Sequence, residues 1–234
     1  KALEAYLSPT GHNDAHSVVR IQAADGPKPE VSILVGKDRL PWSGHMGTYA
    51  IPEVYAAIQQ ARTTIVFVNT RAQAELAFQA LWRINEDNLA IALHHGSLAA
   101  EQRRKVEVVM SRGGLRAVVA TSSLDLGIDW GAVDLVIQIG APKGVSRLLQ
   151  RIGRSNHQFN RPSRAILVPA NRFEVLECRA ALDALDEMTL DGEVPGPGGL
   201  DVLAQHVMGS ACAGAIEPDE LFAEVLRAAP YANL

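Results

Sequence analysis

The stretch Leu148-Leu149-Gln150-Arg151-Ile152-Gly153-Arg154-Ser155-Asn156-His157 sets two arginines three residues apart behind an apolar pair. Side chains at i and i+3 share a helix face, and a planar guanidinium fork is matched to carboxylate or phosphate oxygens. The spacing predicts an anion on that face. From Lys143 to Arg179 the chain carries Lys143, Arg147, Arg151, Arg154, Arg161, Arg164, Arg172 and Arg179 against Glu174 and Glu177 alone, a local basic face within a chain of net charge −4. The acidic average argues against binding nucleic acid through overall charge, whereas the local face permits it.

Three further polar groups stand where apolar runs stop. "TTIVFV" is followed by Asn69-Thr70-Arg71, "LAIAL" by His94-His95-Gly96-Ser97, and "LRAVVA" by Thr121-Ser122-Ser123-Leu124-Asp125-Leu126-Gly127-Ile128-Asp129. Hydroxyls and backbone N–H groups at helix starts suit phosphate. Each has a plainer reading: Thr70 as a helix cap, the histidines as packing residues, Ser122 and Ser123 as turn residues. Their recurrence at the ends of successive strands favours a shared site.

The elements that must position these residues follow from hydrophobic period. Apolar runs of strand length ("SVVRIQ", "VSILVG", "TTIVFVN", "LAIALHH", "LRAVVAT", "VDLVIQIG", "RAILVPA") alternate with helical patterns ("PEVYAAIQQAR", "RAQAELAFQALWRI", "AAEQRRKVEVVMSR", "RFEVLECRAALDAL"). That alternation predicts an α/β fold with a doubly wound parallel sheet, whose ligands gather at the carboxyl ends of its strands. Residues 1–190 are expected to form this domain and "DGEVPGPGG", 191–199, a linker. Residues 200–234 read as two helices opening another domain.

At 234 residues and 47% apolar content the chain can bury a core. No run approaches the ~18 apolar residues of a membrane span, and "KALEAYLSPTGHND" lacks a signal-peptide core, so no membrane association is expected. Cys178 and Cys212 sit in helical patterns without Cys-x-x-Cys, indicating neither zinc nor a disulfide framework; no metal ligands are assigned, and a reducing cytoplasm fits best. Opening on Lys1 inside a helical pattern, the chain is expected to be a piece of something longer. Of the tryptophans, Trp82 lies on an apolar helix face and is expected in the core. Trp42 and Trp130 are candidate base-stacking platforms, Trp130, beside the Thr121–Asp129 stretch, being the best placed of the three, and His45 and Tyr49 are loop residues without an assigned role.

"TTIVFVNTRAQAE", "HHGSLAAEQRRKVE", "VVATSSLDLGIDWGAVDLVIQIG" and "QRIGRSNH" resemble motifs IV, IVa, V and VI of the second RecA-like domain of superfamily 2 helicases. "SLDLGIDWGAVDLVIQIGAPK" with "QRIGRSNH" resembles the large-helicase-related (Lhr) DEXH-box type, and the tail its ligase-associated bacterial branch. The chain has no Gly-x-x-x-x-Gly-Lys-Ser/Thr loop and no Asp-Glu-x-His; in the family both belong to a first RecA-like domain. The resemblance implies an ATP-dependent DNA helicase moving 3′ to 5′ in DNA repair, with ATP and Mg²⁺ held mainly by that first domain. The last ~35 residues would begin a winged helix. Implied partners are single-stranded DNA, the first RecA-like domain of the same polypeptide, and a DNA ligase or nuclease, in a bacterial cytoplasm.

Carried over residue by residue, the resemblance makes Arg154 the arginine finger and places Arg151 and Gln150 at the bridge to the nucleotide; the competing reading of Arg151 is an internal salt bridge. Gly127 and Asp129 would adjoin the nucleotide. His157 stands where the family usually has another arginine, and Asn156 where glycine is common, which weakens the assignment of His157. Asn69, Thr70, Arg71, His95, Gly96, Ser97, Thr121 and Ser122 would line the nucleic-acid track. Two alternatives share the fold: a DEAD-box RNA helicase domain and a non-catalytic nucleic-acid-binding module. This chain alone should bind DNA weakly and hydrolyse nothing.

Overall fold

The computed structural model describes residues 21, 26–34, 36, 39–44, 46–125, 132–156, 161–192 and 196–234. His45, Gly127, Asp129, Trp130, His157 and most of the expected strand "SVVRIQ" lie outside the described residues. The chain divides into two compact units, one of residues 25–192 and one that includes 196–234.

In the first unit the described strands are β1 (Glu30–Ile33), β2 (Thr64–Val68), β3 (Ile91–His94), β4 (Ala117–Ala120), β5 (Leu135–Ile139) and β6 (Arg164–Val168). They form one sheet in the order β1-β6-β5-β2-β4-β3, and every pairing is parallel. The helices are α1 (Ile51–Gln60), α2 (Arg71–Arg83), α3 (Ala100–Ser111), α4 (Val145–Ile152) and α5 (Arg172–Asp186). β2, β4 and β5 are buried along their whole length, which is why they read as unbroken apolar runs.

Successive side chains of a strand face opposite sides, and β2 divides the core accordingly. Val66 and Val68 pack with Val54 and Ile58 of α1 and Ala77 and Leu81 of α2. Ile65 and Phe67 pack with Met110 of α3, Leu148 and Ile152 of α4, and Cys178 and Leu185 of α5. Burial pushes the Cys178 thiol up to about 12, so it is an inert core group.

The chain leaves β2 for α2 on one face and leaves the adjacent β5 for α4 on the other. This is the topological switch point, where a doubly wound sheet opens a crevice at its carboxyl edge. Local capping sharpens the loops there. The Thr70 hydroxyl accepts from the Gln73 amide (3.1 Å), and Asn171 Oδ1 accepts from the amides of Phe173 (2.9 Å) and Glu174 (3.0 Å). α4 has no cap of its own; Asp191 Oδ1 accepts from the Ser146 amide at 2.5 Å, a bond that holds the Asp191 carboxyl below its ordinary pKa.

Trp82 departs from expectation. α2 buries Ala74, Ala77 and Leu81, a stripe that Trp82, one position on, misses by about 100°. It is 58% exposed and stacks on Phe78 with ring centroids 5.9 Å apart.

The second unit holds α6 (Leu200–Ala213) and α7 (Pro218–Leu226). No residue of α6 is buried, and His206 Nε2 lies 3.5 Å from Glu224 Oε1 of α7. Among the described residues no helix is long and apolar enough to cross a membrane.

Gly140, just past β5, has φ +86°, and a Cβ there would stand 2.8 Å from Asn69 Nδ2. Left-handed backbone costs an L-residue ~1–2 kcal/mol, and the close contact adds to it. Gly140→Ala should therefore lower the urea midpoint by at least that equivalent, whereas Gly26→Ala, with open space around the added methyl, should stay within about 0.5 kcal/mol of the parent.

Candidate functional site

The two arginines of the opening motif do not share a helix face. α4 ends at Ile152, with Gly153 as its C-cap, and Arg154 lies in the turn beyond. Helical side chains lean toward the N-terminus of their helix. Arg151 accordingly runs back under α4 into the domain, where it is 3% exposed.

Its guanidinium is fully engaged. Nε donates to Asp125 Oδ1 (2.8 Å), Nη2 to Asp125 Oδ2 (3.3 Å) and Nη1 to Gln138 Oε1 (2.6 Å), while the Arg151 Cζ atom stands 4.6 Å from the Phe67 ring centroid. Arg147 Nε lies 3.7 Å from the same carboxylate. The internal salt bridge is the arrangement found, and it leaves Arg151 turned away from solvent. Asp125 and Gln138 were not singled out by the sequence. The signal for Gln138 is its being the one polar residue of β5, "LVIQI"; Asp125 offers none until its partner is known.

The network continues across the switch point. Gln138 Nε2 donates to Asn69 Oδ1 (3.3 Å) and to the carbonyls of Ile139 and Gly140 (both 3.2 Å). Asn69 Nδ2 donates to the Ala141 carbonyl (2.8 Å), and the Asn69 amide donates to Gln73 Oε1 (2.9 Å). Glu174 Oε2 accepts from the amides of Ala141 (2.9 Å) and Ala170 (2.8 Å), fastening the ends of β5 and β6 together. A buried chain of polar groups thus joins the turn after β4, the end of β5 and the turn after β2.

At the carboxyl edge Thr70, Arg71, Gly96, Ser97 and Ser122 are exposed. Thr70 is also the cap of α2, which is the plainer of its two readings. Thr121 is buried at the end of β4. His95 is buried too, its Nδ1 accepting from the Ser97 amide (3.3 Å) and its Nε2 3.4 Å from Glu75 Oε1; the ring holds the turn and does not face solvent. His94 is buried beside it, with Nδ1 2.8 Å from Ser123 Oγ and Nε2 3.1 Å from Glu107 Oε1.

Arg154 lies elsewhere. The Asn156 amide donates to the Val133 carbonyl (2.7 Å) and the Arg164 amide to Ser155 Oγ (2.8 Å), which ties this turn to the amino ends of β5 and β6. Arg154 is half-buried, and its Nε is buried with no hydrogen-bond partner among the described residues. Gln150 is exposed on α4. Among the described residues no group of three or more His, Cys, Asp or Glu side chains is placed to hold a metal ion.

Removing one partner of a buried pair strands the other, at ~3–5 kcal/mol; Arg151→Ala and Asp125→Ala should each destabilise to that order in urea unfolding. The double substitution should cost less than their sum by ~0.5–3 kcal/mol, and strict additivity would dissolve the pair. Burial, opposed by the hydrogen bond to Glu107, holds His94 below its ordinary pKa of 6.5. The unfolded chain therefore takes up that proton first. The contribution of neutral His94 is complete above about pH 6.5 and is lost as the pH falls toward the folded value. Between about pH 7.5 and pH 5 the parent should lose more stability than His94→Gln in matched urea titrations.

The helicase conserved C-terminal domain model matches residues 49–157. ATP-dependent helicase Lhr-Core protein 2 of Thermococcus barophilus is 40% identical over 178 residues, which are 76% of this chain and 21% of that protein. The Lhr helicase/uracil glycosylase of Escherichia coli is 38% identical over 188 residues, 80% of this chain and 12% of that protein. The chain therefore spans about a fifth or less of the length of these relatives. The structure of Mycobacterium smegmatis helicase Lhr bound to ssDNA and AMP-PNP matches with a TM-score of 0.83 and 33% identity, over 99% of this chain and 30% of that one. Saccharomyces cerevisiae Dbp5 bound to RNA and ADP BeF3, at 19% identity and a TM-score of 0.54 over 71% of this chain and 40% of that one, shares the fold. The RecA-like sheet, the motif-bearing turns and these relatives agree: the chain belongs to the Lhr-type helicases of superfamily 2, as their helicase C-terminal domain.

Proposed function

We propose that this chain is the second RecA-like half of an ATP-driven DNA helicase or translocase that moves 3′ to 5′ and serves DNA repair. Arg154 supplies the charge that meets the γ-phosphoryl group of ATP, and the carboxyl edge carries part of the single-strand track. The observation that carries the reading is the division of labour in motif VI. Arg151 is bound internally at every nitrogen, whereas Arg154, three residues later, leaves a buried Nε without a partner among the described residues. A buried donor left unsatisfied costs ~1–3 kcal/mol, so a guanidinium that keeps its Nε unpaired suits an arriving anion.

Phosphoryl transfer asks little covalent chemistry of the protein; rate comes from placing charge where negative charge builds. Arg154 would do this from the second domain, with Gln150 on the same segment. Arg151 is a positioning residue, which fastens motif VI to the turn after β4 through Asp125. Gly127, Asp129 and His157 stay with the nucleotide in this reading, on the family resemblance alone.

Asp125 and Glu174, the buried carboxylates of this edge, do not fit a magnesium site. Asp125 is taken by Arg151 and Glu174 by two backbone amides, so in this reading the ion belongs to the first domain.

Thr70, Arg71, Gly96, Ser97 and Ser122, supported by Asn69 and Thr121, would contact successive phosphates, and such contacts give affinity without base preference. His95 leaves the track and becomes a support of its turn. The single-stranded DNA named with the Mycobacterium smegmatis structure supports this assignment. Residues 200–234 would begin the winged helix, and a DNA ligase or nuclease would be a partner of the whole polypeptide.

The test is hydrolysis of ATP by the full-length parent protein, with and without single-stranded DNA and, in parallel, RNA. An arginine finger contributes ~10³–10⁵ in turnover, so Arg154→Ala should reduce DNA-stimulated hydrolysis by more than about a hundredfold while DNA binding persists. Unchanged turnover would refute the assignment, and stimulation by RNA but not DNA would refute the substrate.

A further inference from the structure

Beyond the phosphate track, the carboxyl edge of β5 and β6 carries an aromatic feature that the functional reading does not use. Trp42 is 67% exposed, yet the segment that presents it is firmly held. The Arg172 amide donates to the Pro41 carbonyl (3.1 Å), Arg172 Nε to the Leu40 carbonyl (3.2 Å) and Asn171 Nδ2 to the Gly44 carbonyl (2.8 Å). The Arg172 guanidinium carbon stands 4.1 Å from the indole centroid and covers one face of it. Phe173, the next residue, is 64% exposed. Between the two aromatics opens a cavity of about 280 Å³, lined also by Gly44, Lys143, Asn171 and Glu177.

Single exposed apolar side chains are ordinary and require no explanation. A tryptophan anchored by three hydrogen bonds to its own segment and a cation over its ring is different. Those contacts fix the orientation of a large apolar face without burying it, as a preorganised binding surface requires.

We propose that this pocket is a base-stacking subsite for single-stranded DNA. The proposal rests on the helicase reading above and extends it. Three observations select this occupant. The pocket adjoins the phosphate track: Glu174 of its wall accepts from the Ala141 amide (2.9 Å), and the Ala141 carbonyl accepts from Asn69 Nδ2 (2.8 Å). β6 stands two strand spacings from β2, ~10 Å at the usual interval, so a strand leaving Thr70 and Arg71 along this edge arrives here. The charges sort the parts of a nucleotide: exposed Lys143 suits the phosphate, while Glu177 repels it from the interior and leaves the aromatic faces to the base. Every base has a π-face, so stacking here holds the strand without reading its sequence.

The experiment uses the full-length parent protein and fluorescently labelled oligothymidylate, with binding followed by anisotropy. A single abasic site is moved along the oligonucleotide. Base–aromatic stacking measured by alanine substitution corresponds to ~5- to 150-fold in affinity, so Trp42→Ala should weaken binding about tenfold, and Trp42→Phe should keep most of it. In the parent one abasic position should cost about as much as Trp42→Ala, and in Trp42→Ala that position should cost nothing further. Trp42→Ala binding as tightly as the parent would overturn the subsite, as would equal abasic penalties in both proteins; the surface would then belong to a protein partner. A parent protein that does not bind the oligonucleotide would overturn the helicase reading, and the subsite with it.

Discussion

The arrangement depends on one buried ion pair. Arg151 comes from α4, Asp125 from the turn after β4, Gln138 from β5 and the ring beneath the guanidinium from β2. Desolvating two charges is expensive, and the attraction repays it when geometry and remaining hydrogen bonds are good. Here the carboxylate is met by Nε and Nη2, and Nη1 finds the Gln138 carbonyl oxygen. What the pair provides is uniqueness of position: sliding α4 along the sheet by one turn would strand a charge in an apolar layer that includes Phe67, Leu148 and Ile152. An apolar contact would tolerate such a slip far better.

Asn69 and Gln138 extend that constraint to the switch point. The left-handed turn at Gly140 lets Asn69 approach, and Asn69 then closes the gap between β2 and the Ala141 loop. Contiguity of this kind transmits position, not a signal, unless an element has two discrete arrangements. The polar chain therefore sets where the turns of motifs IV, V and VI stand relative to one another. In the proposed reading, switching belongs to the meeting of two RecA-like halves.

The elements were legible because their causes are local. β2, β4 and β5 are buried on both faces and read as β-branched runs, and α2 and α5 announce their starts with Thr70 and Asn171 caps. What escaped is long-range. Arg151 meets partners 26 and 13 residues away, and Gln138 meets Asn69 across 69 residues; no local pattern encodes such pairings. The arginine pair misled for a related reason: an i, i+3 rule holds only while the helix lasts, and α4 ends between its two members. Trp82 misled because one step along a helix turns a residue out of the buried stripe.

The ends of α4 give the domain two working edges. Its first turn follows the Ala141–Lys143 loop at the carboxyl edge, and its last leads into Arg154 beside the amino ends of β5 and β6. Eight residues make a rod of ~12 Å, fixed at one end by Asp191 through the Ser146 amide and near the other by the Arg151 pair. A helix pinned twice cannot bend to accommodate an anion at one end alone; it moves with the sheet or not at all. If Arg154 meets nucleotide, as proposed, the pull on it reaches the loops after β5 and β6 as a displacement of the whole domain, and the strand held along that edge would be carried with it.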